Sequence, residues 1–273
     1  VDGEFLQYPP FFHDAILPKW LLTLSLFLIV GIPFLILFVL GLRILSSSVK
    51  KLSKATSLTL LGIWIVALLT LIFTGLDFGT SHANYGQSNT KTTLNLVEND
   101  TITLKMINDD EVYYKHNLRR SSRKYEVEVN GIKKVYSNYV KVDVKKSNSN
   151  EAYIVLQKES RGKNSLNANK NAEKIEYKFE VLDNTIVLDA YYLSEFKNIW
   201  KDEEVNVTFY LPEGTTVYFD HSTKNFLDNV ENDKDIHDND MQNHHFKMTN
   251  ETLTCTDCVD EIEEDETVIE DKI

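Results

Sequence analysis

The sequence predicts a membrane α segment with two transmembrane helices, followed by an all-β soluble domain. Two apolar runs and one change of periodicity carry that reading. Trp20 to Leu42 contains no charged side chain, and neither does Ala55 to Leu76. A helix needs about 20 apolar residues to cross the hydrocarbon core of a bilayer, and both runs are that long. After Thr80 the apolar residues alternate with polar ones, as in strands with one buried face. The expected organisation is an extracytoplasmic loop at 1–17, then a membrane region at 18–78 with spans near 20–42 and 57–76. A basic loop at 43–54 joins the spans. A linker at 79–91, a β domain at 92–258 and an acidic disordered tail at 259–273 follow.

In the first segment, Pro9, Pro10 and Pro18 oppose a continuous helix. Trp20 is placed for the headgroup level, where aromatic rings collect. The first span carries Pro33, whose missing N–H frees a backbone carbonyl inside the bilayer. Arg43, Lys50, Lys51 and Lys54 set the topology: the loop between the spans has no acid and is expected in the cytoplasm. The β domain then lies outside the cytoplasm. Neither span contains an ionisable residue, which favours anchors over a transport path. Val1 in place of an initiator methionine suggests a piece of a longer protein, and no signal peptide is recognisable.

The segment 79–91 is rich in Gly, Ser and Asn and is expected to be flexible. Beyond it, Asn99-Asp100 is expected to turn a hairpin between Leu94–Leu96 and Ile102–Met106. Asn130-Gly131 suits a type I′ turn, which sets Val129 opposite Ile132 and Glu128 opposite Lys133. Further strands are expected at Val140–Val144, Ile154–Leu156, Ile175–Val181, Ile186–Ala190, Val205–Leu211 and Val217–Phe219, with Asp183-Asn184 and Pro212-Glu213-Gly214 as turns. Ser165 to Lys174 is the one helix-like stretch, expected short and exposed.

The net charge of −12 lies mostly in the C-terminal part, which argues against a nucleic-acid partner. Val259 to Ile273 is too acidic to form a core. The only cysteines form Cys255-Thr-Asp-Cys258. A local disulfide, a metal site or redox chemistry are open to such a pair. His237, Met241, His244, His245 and Met248 precede it. Imidazole, thioether and thiolate suit copper or zinc, so His244, His245, Cys255 and Cys258 are candidate metal ligands. The acidic runs Asp109-Asp110-Glu111 and Asp202-Glu203-Glu204 are expected in solvated turns. There is no GxSxG, HExxH or P-loop, so no catalytic residue, enzyme activity or cofactor is expected.

Several pieces resemble one family in the right order. PKWLLTLSLFLIVGIPFLILFVLGLRIL, the basic loop and KATSLTLLGIWIVALL resemble the membrane region of PspC-type (phage shock protein C) envelope proteins. AEKIEYKFEVLDNTIVLDAYYL, EVNVTFYLPEGTTVYFD and LTCTDC resemble the later part of the same proteins. The resemblance covers Pro18 to about Cys258. It implies a toast-rack β domain, a single-sheet, repeat-like, antiparallel or solenoid-like stack that presents surfaces for assembly, with no catalytic residues. It also implies a multi-pass protein of the bacterial inner membrane with its C-terminal domain in the periplasm, and envelope-stress sensing or scaffolding with an envelope or membrane protein partner. The alternative is a membrane-anchored periplasmic domain that binds a metal or small ligand.

Overall fold

The computed structural model describes residues 17–46, 52–94, 101–108, 123–199 and 201–258. The loop before Leu17, Lys50 and Lys51, the turn at Asn99-Asp100, the run Asp109 to Glu111 and the acidic tail lie outside these residues. Two helices, α1 (Lys19–Leu45) and α2 (Lys54–Ser81), are long and apolar enough to cross a membrane. Ser53 caps α2 by accepting the N–H of Thr56. Arg43 sits in the last turn of α1 and Lys54 opens α2, so both lie at the connected ends of the pair.

A hydrogen bond joins these helices through the proline. Pro33 has no N–H to give to the carbonyl four residues before it, that of Ile29. The indole Nε1 of Trp64 in α2 donates to that carbonyl at 3.1 Å. An unpaired carbonyl in hydrocarbon is costly, so the kink residue and the tryptophan satisfy each other's needs across the helix interface.

Among the described residues the β domain has three sheets. The first has the order β1 (Asn84–Leu94), β6 (Ala152–Gly162), β10 (Glu204–Leu211), β5 (Val140–Lys146). The second runs β13 (Leu253–Cys255), β12 (His245–Met248), β11 (Thr216–Phe219), β2 (Thr101–Ile107), β8 (Thr185–Asp189), β7 (Phe179–Leu182). The third is β3 (Lys124–Val129), β4 (Ile132–Ser137), β9 (Tyr192–Glu195). Val142, Ile154, Val207 and Phe209 of the first sheet share one core with Leu104, Leu188, Phe219 and Phe246 of the second. The stack is therefore not a single sheet. Parallel pairs β5–β10, β2–β11 and β2–β8 give it solenoid-like character, and the other pairs are antiparallel.

The hairpin β3–β4 has the register of an Asn-Gly turn. Asn130 and Gly131 both have positive φ, Val129 pairs with Ile132 and Glu128 with Lys133. The Lys133 ammonium makes an ion pair with Glu126, the diagonal neighbour. Asp183-Asn184 likewise turns β7 into β8.

Three local expectations change. The segment 79–91 is not a flexible linker. Helix α2 continues to Ser81, and β1 begins at Asn84 and pairs along its whole length with β6. Polar composition hid this because β1 is an edge strand with little apolar burial. In addition, β1 and β2 form no hairpin with each other; they belong to different sheets. Helix α3 (Ser165–Glu173) is not simply exposed. Ala168, Asn171 and Ala172 are buried, and α3 packs on β1 and β6. Gly86 makes that packing possible, because a Cβ there would lie 2.3 Å from the Asn169 nitrogen and 2.4 Å from the Ala168 carbonyl carbon. Asn169 in turn accepts the Gln87 N–H at 3.0 Å. Lys158 holds the far end of α3 by donating to the Glu173 and Ile175 carbonyls.

Two substitutions test these contacts. Trp64→Phe is expected to cost about 1 kcal/mol in the detergent-solubilised chain, by orphaning the Ile29 carbonyl. The same change in a Pro33→Ala background should cost clearly less, because the alanine N–H takes the carbonyl back; additive costs would refute the pairing. Gly86→Ala is expected to destabilise by about 1–3 kcal/mol, read from thermal or denaturant unfolding, since α3 must move off the sheet.

Candidate functional site

Helix α2 and β1 are separated by two residues, His82 and Ala83. The end of the helix is closed locally: the His82 ring nitrogen Nδ1 lies 2.8 Å from the Phe78 carbonyl, and the two rings pack 4.4 Å apart. It is also tied to the sheet. Lys163 reaches back to Asp77 of α2 at 2.5 Å. Arg161, near the end of β6, donates Nη1 to the His82 carbonyl at 3.1 Å. Its guanidinium lies 3.8 Å over the ring of Tyr85, its register partner on β1, and meets the Tyr85 hydroxyl. Nε faces the Asp202 carboxylate at 2.7 Å. A planar cation with several donors suits this combined stacking and forked bonding, which lysine could not reproduce.

A cavity of about 640 Å³ opens beside this junction. Tyr85, Tyr125 and Tyr139 supply aromatic wall, and Arg123, Glu159 and Lys201 supply both signs of charge. The acidic run at 202–204 closes one side. The cavity is large enough for a side-chain cluster or small ligand, and its wall is both aromatic and charged.

The acidic run is only partly the solvated turn its composition suggests. The Asp202 side chain is 73 % exposed, but Glu203 is buried and Glu204 opens β10. Glu203 Oε2 accepts Ser194 Oγ from β9 at 2.7 Å and pairs with Lys124 Nζ from β3 at 3.2 Å. Tyr192 donates its hydroxyl to the Glu203 carbonyl at 2.7 Å. Oε1 has no hydrogen-bond partner among the described residues. Burial pushes the Glu203 carboxyl above its ordinary range, and the pulls of Lys124 and Ser194 only partly oppose it. Burial raises Tyr192 as well, with the Glu203 charge adding to it. Asp109, Asp110 and Glu111 lie outside the described residues.

Farther along the chain, Cys255 and Cys258 are joined by a disulfide at the end of β13. Asp257 lies between the cysteines in sequence and binds both histidines. Its Oδ1 is 3.2 Å from His244 Nδ1 and accepts the His245 N–H at 2.9 Å; its Oδ2 is 2.6 Å from His245 Nδ1. Burial pushes the Asp257 carboxyl up, but the bonds from His245 and His244 outweigh it and hold it below the ordinary 3.8. Of the sequence candidates, His244, Cys255 and Cys258 come together with Asp257, their donor atoms all within 4.8 Å of one another. His245 stands behind Asp257. Met241 and Met248 are not ligands but core residues, because the alternation of β12 turns Met248 inward with Phe246. His237 caps a turn by accepting the Asn239 N–H. Sequence reading missed Asp257 and Arg161: an aspartate inside a CxxC and an arginine in a polar strand carry no local signature.

A family model described as the PspC transmembrane region matches residues 1–82. A second, described as the toast-rack found in some PspC proteins, matches residues 126–261. The chain belongs to the PspC-type membrane proteins. No curated protein and no solved structure matches it. The first match ends at His82, where α2 is capped. The toast-rack match starts after β1 and β2, yet both strands are integral: β1 pairs with β6, and β2 lies between β8 and β11. In this PspC-type protein the two matched regions thus meet through β1 and the Arg161 contacts.

The buried carboxyl makes a pH-dependent prediction. A folded-state pKa above the ordinary 4.5 means that Glu203 contributes stability below that pH and loses it as pH rises through the folded value. Glu203→Gln keeps the neutral shape. The stability of that variant relative to the parent should grow as pH rises above 4.5; a constant difference would show that Glu203 is not held protonated. Glu203→Ala removes the acceptor of Ser194 and the carboxyl partner of Lys124, whose ammonium also reaches the Lys201 and Asn198 carbonyls; it should cost about 1–3 kcal/mol in denaturant unfolding.

Proposed function

We infer that this chain is a bacterial inner-membrane, multi-pass PspC-type protein that serves envelope-stress sensing or scaffolding through an extracytoplasmic toast-rack domain. The orientation rests on Arg43, Lys50, Lys51 and Lys54 between the spans. The role is binding rather than catalysis, with an envelope or membrane protein as partner and no nucleic acid. The observation that carries the reading is the junction: α2 enters β1 with a two-residue break, and Arg161 ties the helix end to the wall of the cavity. A partner that fills the cavity touches Tyr85 and displaces or reinforces Arg161. The end of α2 then moves with the β domain instead of swinging free of it. Sensing by a rigid joint needs only that the partner bind one arrangement of helix and sheet better than another.

The test is photo-cross-linking in cells from a reactive side chain placed at Tyr125 or Tyr139 of the full chain. An envelope or membrane protein adduct, weakened by Arg161→Ala, is the expected result. A pattern identical to that of a probe on the opposite sheet, at Lys247, would overturn the assignment of the cavity. Reporter fusions at Ser46 and Gly214 check the orientation independently: Ser46 should report cytoplasm and Gly214 the exterior.

A further inference from the structure

The cluster after β13 has more chemistry than a staple needs. Cys255 and Cys258 are three residues apart, and the entropic return on a cross-link is smallest for so short a loop. The strand pairing of β12 with β13, from Phe246–Cys255 to Met248–Leu253, and the buried side chains of Phe246, Met248 and Leu253 already hold the hairpin. The disulfide is nevertheless surrounded by donors. A ring nitrogen of His244, a carboxylate oxygen of Asp257 and the two sulfurs lie within 4.8 Å of one another. The side chains of His244 and Asp257 are 37 % and 41 % exposed, so a solvated cation can reach them. We propose that this cluster is a redox-gated site for a thiophilic d10 cation such as Zn²⁺, closed to the metal while the disulfide stands and four-coordinate once it is reduced.

The step balances with a dithiol reductant. One thiolate of the reductant attacks a sulfur of the Cys255–Cys258 bond, and its second thiol releases the mixed disulfide. The reductant leaves as a disulfide, and Cys255 and Cys258 each gain a proton and an electron. Zinc then displaces the two thiol protons and takes Cys255, Cys258, His244 and Asp257 as ligands. Sulfur ligands on tetrahedral zinc sit about 2.3 Å from the metal, hence about 3.8 Å from each other. Reduction frees the two bonded sulfurs to separate to that distance, while the widest donor pair, now no more than 4.8 Å apart, closes by about 1 Å around a metal. Two further observations fit a site rather than a chance gathering. The Cys258 N–H already donates to Cys255 Sγ at 3.1 Å, which favours that sulfur as thiolate. His245 binds the second oxygen of Asp257 through its ring and packs 4.7 Å from Tyr218, so the carboxylate is oriented from behind, as ligating carboxylates are. His245 is a positioning residue, not a ligand.

Zinc itself is the probe, with Co²⁺ as its spectroscopic substitute. The full chain in detergent is dialysed against zinc with and without prior reduction by a phosphine, which is then removed. The expected result is one tightly held zinc per chain after reduction and none before it. Cobalt should give a sulfur-to-metal charge-transfer band in the reduced protein alone. Cys255→Ser and Cys258→Ser should abolish both signals. His244→Ala and Asp257→Asn keep both cysteines and should weaken binding about tenfold or more, whereas His237→Ala should change nothing. Equal zinc content in the oxidised and reduced chains overturns the proposal. So does tight binding that survives both His244→Ala and Asp257→Asn, even if the cysteine variants misfold.

Discussion

Helix α2 reaches Ser81 and the first sheet begins at Asn84, so the polypeptide has no slack at the membrane surface. The β domain is joined to α2 through that short connection. A helix end leaves carbonyls unpaired. Here the His82 ring covers that of Phe78, and Arg161 covers that of His82. Because Arg161 also stacks on Tyr85 and faces Asp202, the same side chain satisfies the helix, joins β1 to β6 and forms part of the approach to the cavity. The orientation of the sheet relative to α2 is thereby tied to the polar wall of the cavity.

Within the membrane segment the controlling physics is different. Water is absent, so each backbone group must find a partner within the protein. Pro33 breaks that rule at Ile29, and Trp64 repairs it from the neighbouring helix. Neither helix has an ionisable residue in its apolar run to specify the pairing. A single hydrogen bond from a bulky, orientable side chain supplies register that the uniformly apolar surfaces lack.

In the β domain, two kinds of polar group behave differently although both looked like surface in the sequence. Asp202 remains largely exposed, while its neighbour Glu203 is enclosed by Lys124, Ser194 and Tyr192. Those partners stand 79, 9 and 11 residues away along the chain, respectively. A local window of sequence sees three acids in a row; it does not see the third sheet closing over the middle one. The same holds for Asp257, whose two histidines, His245 and His244, lie 12 and 13 residues before it.

The sequence alone determined the features governed by short-range physics. Uninterrupted apolar length marked α1 and α2, alternation marked most strands, and Asn130-Gly131 set the β3–β4 register because few dipeptides tolerate two positive φ angles. It also marked the family, since many weak pieces occur in one order. Tertiary structure decided the rest. A polar edge strand reads as linker until β6 supplies its partner, and β1 and β2 read as a hairpin until two sheets claim them separately. Helix α3 reads as exposed until Gly86 lets it lie on the sheet. Strand pairing and burial depend on what arrives from far along the chain, and that information is absent from any short stretch of residues.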